Sequence, residues 1–123
     1  MGDRPLELSS AVASIRLGTA SEHPEIVVIH NGSKAVDLEG VRSVELPLNQ
    51  GIPGGRDTAM KLTNSDVVFF LDDDARVVGN WPSRVLDDFR NNDRIAAVST
   101  RIVDERGCTS RRHVMRGQYS AVA

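Results

Sequence analysis

Apolar and polar positions along the chain form two kinds of pattern that follow one another. Short runs rich in β-branched and aromatic residues predict four strands, at 25–30, 41–46, 66–71 and 95–103. Amphipathic or cap-flanked runs predict three helices, at 4–17, 56–63 and 82–92. This alternation is typical of an α/β layered fold with a mainly parallel sheet. No repeat or low-complexity linker divides the sequence, so we predict one domain over residues 1–123.

The predicted strand 66–71 ends on three consecutive carboxylates, Asp72, Asp73 and Asp74. Adjacent carboxylates repel one another and lose hydration at the end of a buried strand, so they need a positive partner. A hard divalent cation is the natural one, and Mg²⁺ or Mn²⁺ is commonly held by one or two carboxylates together with substrate phosphates. The sequence therefore predicts a metal-bridged phosphate ligand. The alternative is a solvated acidic loop in which Asp74 caps the next helix.

Two other polar segments are candidates for the same site. Asn-Gly-Ser at 31–33 follows the predicted strand 25–30, and ligands of parallel α/β sheets bind beyond the carboxyl ends of strands. We therefore expect 31–33 to share one rim with the aspartates. The glycine-rich segment 49–56 would let the main chain approach a ligand, and Arg56 suits a phosphate or carboxylate. The segment lacks the spacing and the lysine of a P-loop, and a plain turn is the alternative interpretation.

Composition excludes several classes of protein. A net charge of −2 gives no basic field that would attract nucleic acid or an anionic membrane. No apolar run approaches the ~20 residues of a transmembrane helix. We therefore predict a cytoplasmic protein that binds no nucleic acid and has no transmembrane segment. The single cysteine, Cys108, excludes an internal disulfide. Three histidines have no metal-ligand spacing, and His30 is predicted to be a structural or rim residue; they are His23, His30 and His113.

Three segments, in this order and spacing, resemble family 2 glycosyltransferases with the GT-A fold: EIVVIHNGS, LPLNQGIPGGRDTAM and VVFFLDDDA. The resemblance covers about residues 3 to 112 and implies a Rossmann-like fold of nucleotide-diphospho-sugar transferases. It implies that Asn31 binds the nucleotide base and that Arg56 contacts the nucleotide. It also implies that Asp74 ligates Mn²⁺ or Mg²⁺, with Asp72 and Asp73 near the ribose and base. Asp57 departs from the family pattern, which usually has asparagine there.

The resemblance implies a function and an incomplete domain. Family members transfer a sugar from a nucleoside diphosphate sugar to an acceptor hydroxyl, with inversion at the anomeric carbon. They also have a central strand before the segment that matches residues 1–8, and an acceptor-binding half that carries the general base. We therefore expect residues 1–123 to be the nucleotide-sugar-binding half, with the first strand and acceptor half missing, and to be inactive alone. The exposed strand edges would then be able to pair with another chain.

Two alternatives belong to other classes. Haloacid dehalogenase-like phosphatases also place Asp-x-Asp after a strand, with the first aspartate as nucleophile. Their motif is DxDx[TV] near the amino terminus, whereas Ala75 and Arg76 follow the aspartates here. The second alternative is a truncated, non-catalytic product that retains part of the fold.

Overall fold

The α/β class and the parallel pairing predicted from the sequence are confirmed. A computed structural model describes residues 4–109 of the chain; the segment after Thr109, which includes His113, lies outside them. In chain order the elements are helix α1 (Pro5–Gly18), strands β1 (Val27–Asn31) and β2 (Arg42–Leu46), and helices α2 (Gly51–Lys61) and α3 (Trp81–Asn91). This arrangement of helices beside parallel strands is Rossmann-like.

The sheet in this part of the chain consists of β1 and β2, which run parallel with Val27 opposite Arg42 and Asn31 opposite Leu46. Arg42 N donates to Ile26 O at one end of the pair, and Gly32 N donates to Leu46 O at the other. Alternate residues of a strand direct their main-chain groups to opposite sides. The N–H and C=O groups of Val27, Ile29 and Asn31 therefore face the open edge of β1.

Two predicted strands are wrong. Neither 66–71 nor 95–103 forms a strand, apart from an isolated antiparallel bridge between Val103 and Thr109. Phe69 and Phe70 are 38% and 45% exposed, although a covered strand was expected there. A hydrophobic run indicates that a segment is favourable to bury. A strand also needs a neighbouring strand that pairs with its main-chain N–H and C=O groups. Within residues 4–109 no strand pairs with either segment, and the single bridge at Val103 does not extend into a ladder.

Helix α2 begins five residues earlier than predicted, so most of the glycine-rich segment is helical rather than a loop or a turn. Glycine costs about 1 kcal/mol relative to alanine inside a helix, which is why the sequence pattern placed the start at Arg56. Hydrogen bonds from Asn31 and Asn49, which lie outside the helix, outweigh this preference. The other two helices lie within one residue of their predicted bounds.

The segment that carries the aspartates is held by contacts on both sides. On the α1 side, Ser14 Oγ accepts a hydrogen bond from Val77 N at 3.0 Å. On the α3 side, the rings of Phe69 and Trp81 meet edge to face, with centroids 5.3 Å apart. The buried apolar core is small, with members from α1, β2 and α3: Ala11, Val12, Leu46 and Val85. None of the helices described here has the length and hydropathy that a bilayer crossing requires.

Candidate functional site

The side chain of Asn31, the last residue of β1, fixes the start of α2. Its Oδ1 accepts a hydrogen bond from Gln50 N at 2.8 Å, and its Nδ2 donates to Gly51 O at 2.8 Å. Asn49 Oδ1 accepts from Gly51 N, also at 2.8 Å. The N-cap residue Gln50 makes no side-chain cap of its own. The two asparagines therefore supply the hydrogen bonds that allow a helix to begin at a glycine.

Two glycines make this close approach possible. A Cβ on Gly32 would lie 2.6 Å from Asn49 N, and its φ of +78° is a conformation that other residues avoid. A Cβ on Gly55, one turn into α2, would lie 3.3 Å from Asn31 Nδ2. Gly55 is buried. The main chain of α2 is consequently held against the end of β1 at Gly51 and again at Gly55.

Arg56, next to Gly55, reaches the first aspartate. Its NH2 group donates to Asp72 Oδ1 at 3.1 Å, and its guanidinium carbon lies 5.3 Å from the centroid of the Phe70 ring. The two side chains are 48% and 62% exposed, so the ion pair contributes at most about 1 kcal/mol to stability. The structure thus joins two residues that the sequence had assigned separately to one site.

Asp74 is paired with a residue that sequence reasoning missed. Arg4 NH1 lies 3.7 Å from Asp74 Oδ2, and both side chains are more than half exposed. Nothing in the local pattern signals this pair, because Arg4 precedes α1 and Asp74 follows the run 66–71. Two of the three aspartates, Asp72 and Asp74, thus have the positive partners that were expected, and here they are arginines.

A pocket of about 200 Å³ wraps around the open edge of β1. Residues of β1 with alternating side-chain directions line it, so it lies at the edge of the sheet rather than on one face. Both Asn31 and Asp73 belong to its lining, whereas Arg56, Asp72 and Asp74 do not. Typical sites for drug-sized ligands span ~300–1,000 Å³, so this pocket suits one part of a ligand. Its walls come from the start of α1, from β1, from the loops that follow β1 and β2, from the start of α2 and from the aspartate run: Arg4, Pro5, Leu8, Val28, Ile29, His30, Asn31, Ser33, Val36, Asn49, Gly51, Ile52 and Asp73.

The donor atoms suit a hard cation only if a ligand completes the coordination. Within residues 4–109 no group of three or more acidic, histidine or cysteine side chains is arranged to hold a metal ion. The exposed Asp74 carboxylate nevertheless offers the oxygen ligands that Mg²⁺ and Mn²⁺ prefer, and one carboxylate plus phosphate oxygens is a common coordination set for Mg²⁺. The residues therefore fit a cation shared with a phosphate ligand and do not form a protein-only metal centre.

His30 is a structural residue, in agreement with the sequence. It is 5% exposed, and its Nε2 accepts a hydrogen bond from Val36 N at 3.4 Å, which requires a neutral ring. Ser43 Oγ lies 3.3 Å from the same nitrogen. Burial lowers the pKa of His30 below its ordinary value of 6.5, and the nearby Glu45 carboxylate opposes this shift. The neutral ring thus links β1 to the loop before β2.

The five predicted site residues form three sets in the structure. Asn31 and Asp73 meet at the pocket, and Arg56 pairs with Asp72, while Asp74 is held by Arg4. Their roles in binding stay predictions.

Residues 4–121 match the model of a protein family that is described as glycosyl transferase family 2. Searches of curated proteins and of solved structures gave no match.

The free energy of unfolding is expected to fall as the pH drops below 6.5. His30 then takes up a proton in the unfolded chain, whereas burial disfavours its protonated form in the folded chain. The contribution is present above the ordinary pKa of 6.5 and is lost as the pH falls through the lower folded value. Urea unfolding between pH 5.5 and 8 measures this slope for the parent chain and for His30→Gln. The variant should show a shallower slope than the parent, with His23→Gln as the control. Equal slopes in the parent and His30→Gln would contradict the assignment.

Proposed function

Because the chain belongs to glycosyl transferase family 2, we propose that residues 1–123 form the nucleotide-sugar-binding part of a glycosyltransferase domain. Glycosyl transfer is the activity of the family, and the match to residues 4–121 supports it for this chain. The donor proposed is a nucleoside diphosphate sugar. The same match argues against a phosphatase that uses aspartate as nucleophile. A cytoplasmic location stays a prediction from the sequence alone.

One observation carries the proposed site. The pocket at the end of β1 is lined by both Asn31 and Asp73, and the neighbouring Asp72 is paired with Arg56. In the proposal Asn31 binds the base, Asp72 and Asp73 lie near the base and ribose, and Arg56 contacts the nucleotide. The guanidinium fork of an arginine matches two phosphate oxygens, and this one is about half exposed and within reach of a ligand.

Asp74 is the residue proposed to hold Mg²⁺ or Mn²⁺ together with diphosphate oxygens. When bound there, the cation would supply positive charge that stabilises the diphosphate as a leaving group. Arg4 now pairs with this carboxylate, so it would have to release Asp74 when the ligand arrives. The weakness of exposed ion pairs makes this exchange easy.

The acceptor of the proposed reaction is a hydroxyl group of unknown identity, which attacks the anomeric carbon from the side opposite the diphosphate and inverts that carbon. A carboxylate would take the hydroxyl proton. We assign this general base to none of the residues 4–109. The proposal for these 123 residues is therefore nucleotide binding without sugar transfer, and turnover by the purified chain would contradict it.

Replacing Arg56 is the experiment that tests nucleotide binding. Arg56→Ala should weaken the binding of UDP or GDP about tenfold or more, because a hydrogen bond to a charged group is worth about 1.5–3 kcal/mol. Isothermal titration calorimetry with both nucleotides measures the change. Arg90→Ala, which removes another exposed arginine with one aspartate partner, is the matched control. Unchanged affinity in Arg56→Ala, or no nucleotide binding by the parent chain, would refute the proposed site.

Replacing Asp74 tests the cation. Asp74→Asn keeps the shape of the side chain but removes its charge, so binding of Mn²⁺ in the presence of UDP or GDP should be lost. Electron paramagnetic resonance of free Mn²⁺ follows this binding without any need for turnover. Asp93→Asn, an exposed aspartate outside the site, serves as the control. If Asp74→Asn binds Mn²⁺ as the parent does, another ligand holds the ion.

A second proposal concerns pairing with another chain through a strand edge. The main-chain groups of Val27, Ile29 and Asn31 face an open edge of β1, and such edges template pairing with further strands. Because the pocket lies at the same edge, a paired strand would take the place of a nucleotide, which fits the alternative of a non-catalytic product.

Edge pairing predicts association that depends on β1. Val27→Lys places a charge at the edge, which is how natural proteins block edge-to-edge pairing, so the variant should sediment with a smaller mass than the parent. Analytical ultracentrifugation over a range of concentrations measures this, with Val98→Lys, at an exposed position away from β1, as control. A parent chain that stays monomeric throughout would rule the proposal out.

A further inference from the structure

The amide of Asn31 has more hydrogen-bonding groups than its contacts within the fold use. An asparagine amide carries two N–H donors and two acceptor lone pairs. The bonds to Gln50 N and Gly51 O use one donor and one lone pair. Among the contacts within residues 4–109, one N–H and one lone pair are left over, and the residue also lines the pocket. A contact with a nucleotide base and a contact with α2 are therefore compatible at this side chain.

The contact with α2 is placed where it controls Arg56. Helix α2 touches Asn31 at its first residue, Gly51, and again at Gly55, where a Cβ would come within 3.3 Å of Asn31 Nδ2. Arg56 follows Gly55 directly, so its Cα moves with this turn of the helix. The guanidinium is then held between Asp72 and the face of Phe70. A change at Asn31 would shift the helix start and carry Arg56 away from both partners.

We propose that Asn31 is a positioning residue for Arg56: its amide fixes the start of α2 at the end of β1 and thereby sets where the guanidinium meets a phosphate. The inference rests on the proposed nucleotide site for its ligand, but its structural part holds for the free protein. It separates two roles of one side chain, since a base contact depends on which base is bound and the positioning of Arg56 does not.

Asn31→Asp is the most informative substitution. It keeps an oxygen that accepts from Gln50 N but replaces the donor to Gly51 O, so two oxygens face each other at the helix start. Asn64→Asp is the matched control, since Asn64 is exposed and lies beyond the end of α2. Gly55→Ala disturbs the same contact from the helix side and serves if Asn31→Asp does not fold.

The first measurement uses the free 123-residue protein. The Nε–Hε signal of Arg56 in ¹⁵N–¹H nuclear magnetic resonance spectra senses the ring current of Phe70. Phe70→Leu provides the reference shift without the ring. Asn31→Asp and Gly55→Ala should both move the signal toward that reference, whereas Asn64→Asp should leave it in place. An unmoved signal in folded Asn31→Asp and Gly55→Ala would overturn the proposal, whether or not the chain binds a nucleotide.

The second measurement is a double-mutant cycle on nucleotide affinity. Asn31→Asp should weaken the binding of both UDP and GDP, about tenfold or more, as one lost hydrogen bond and an added repulsion predict. In an Arg56→Ala background the same substitution should cost clearly less, because the share that acts through Arg56 is gone and only the base contact is left. A loss that persists undiminished in that background for both nucleotides would assign Asn31 to the base contact alone and overturn the proposal. If no nucleotide binds, the proposed function fails, while the resonance shift still decides whether Asn31 positions Arg56.

Discussion

The candidate site depends on one local contact in space, the pair of hydrogen bonds between the Asn31 amide and the main chain at the start of α2. A helix that begins with Gly-Ile-Pro-Gly-Gly has poor intrinsic propensity and no cap from its own N-cap residue. It forms because side chains from the end of β1 and from Asn49 satisfy its first polar groups. The absence of a Cβ at Gly32 and Gly55 then lets strand and helix meet without a gap.

Electrostatics adds a second layer to this scaffold. Three adjacent carboxylates would repel one another, and two of them are compensated by arginines that come from before α1 and from within α2. The side chains of both ion pairs are about half exposed or more, and exposed ion pairs are weak in water. The aspartates are thus stabilised enough to stay in place and are loosely enough paired to change partners.

Local patterns predicted the parts of the fold that local chemistry decides. The helices α1 and α3 follow from apolar periodicity and from a proline in the first turn, and the parallel strands β1 and β2 follow from β-branched runs. The run 66–71 has an equally strong pattern but no pairing partner among residues 4–109, and a strand is a property of two segments rather than one. The predicted start of α2 was wrong for a related reason. The hydrogen bonds that fix the start come from Asn31, which lies outside the helix and outside the segment that leads into it.

The site residues show the same division. Residue type and position after a strand pointed to Asn31, Arg56 and the aspartates, and the structure joins Arg56 to Asp72 and brings Asn31 to the same pocket as Asp73. The pairing of Arg4 with Asp74 had no signal in the sequence, because the two residues lie far apart in the chain and in no common element. Contacts of this kind arise from the assembled fold and leave no spacing to read.

The ion pair between Arg56 and Asp72 has a consequence for selectivity. In the proposed site, a polyanion that draws the guanidinium away would leave the Asp72 carboxylate without its partner, so binding would be an exchange of counter-ions rather than a simple addition of charge. A ligand with a vicinal diol beside its phosphates could donate hydrogen bonds to the vacated carboxylate, whereas a bare inorganic phosphate could not. On this proposal the ion pair of the free protein would disfavour anions that lack a ribose.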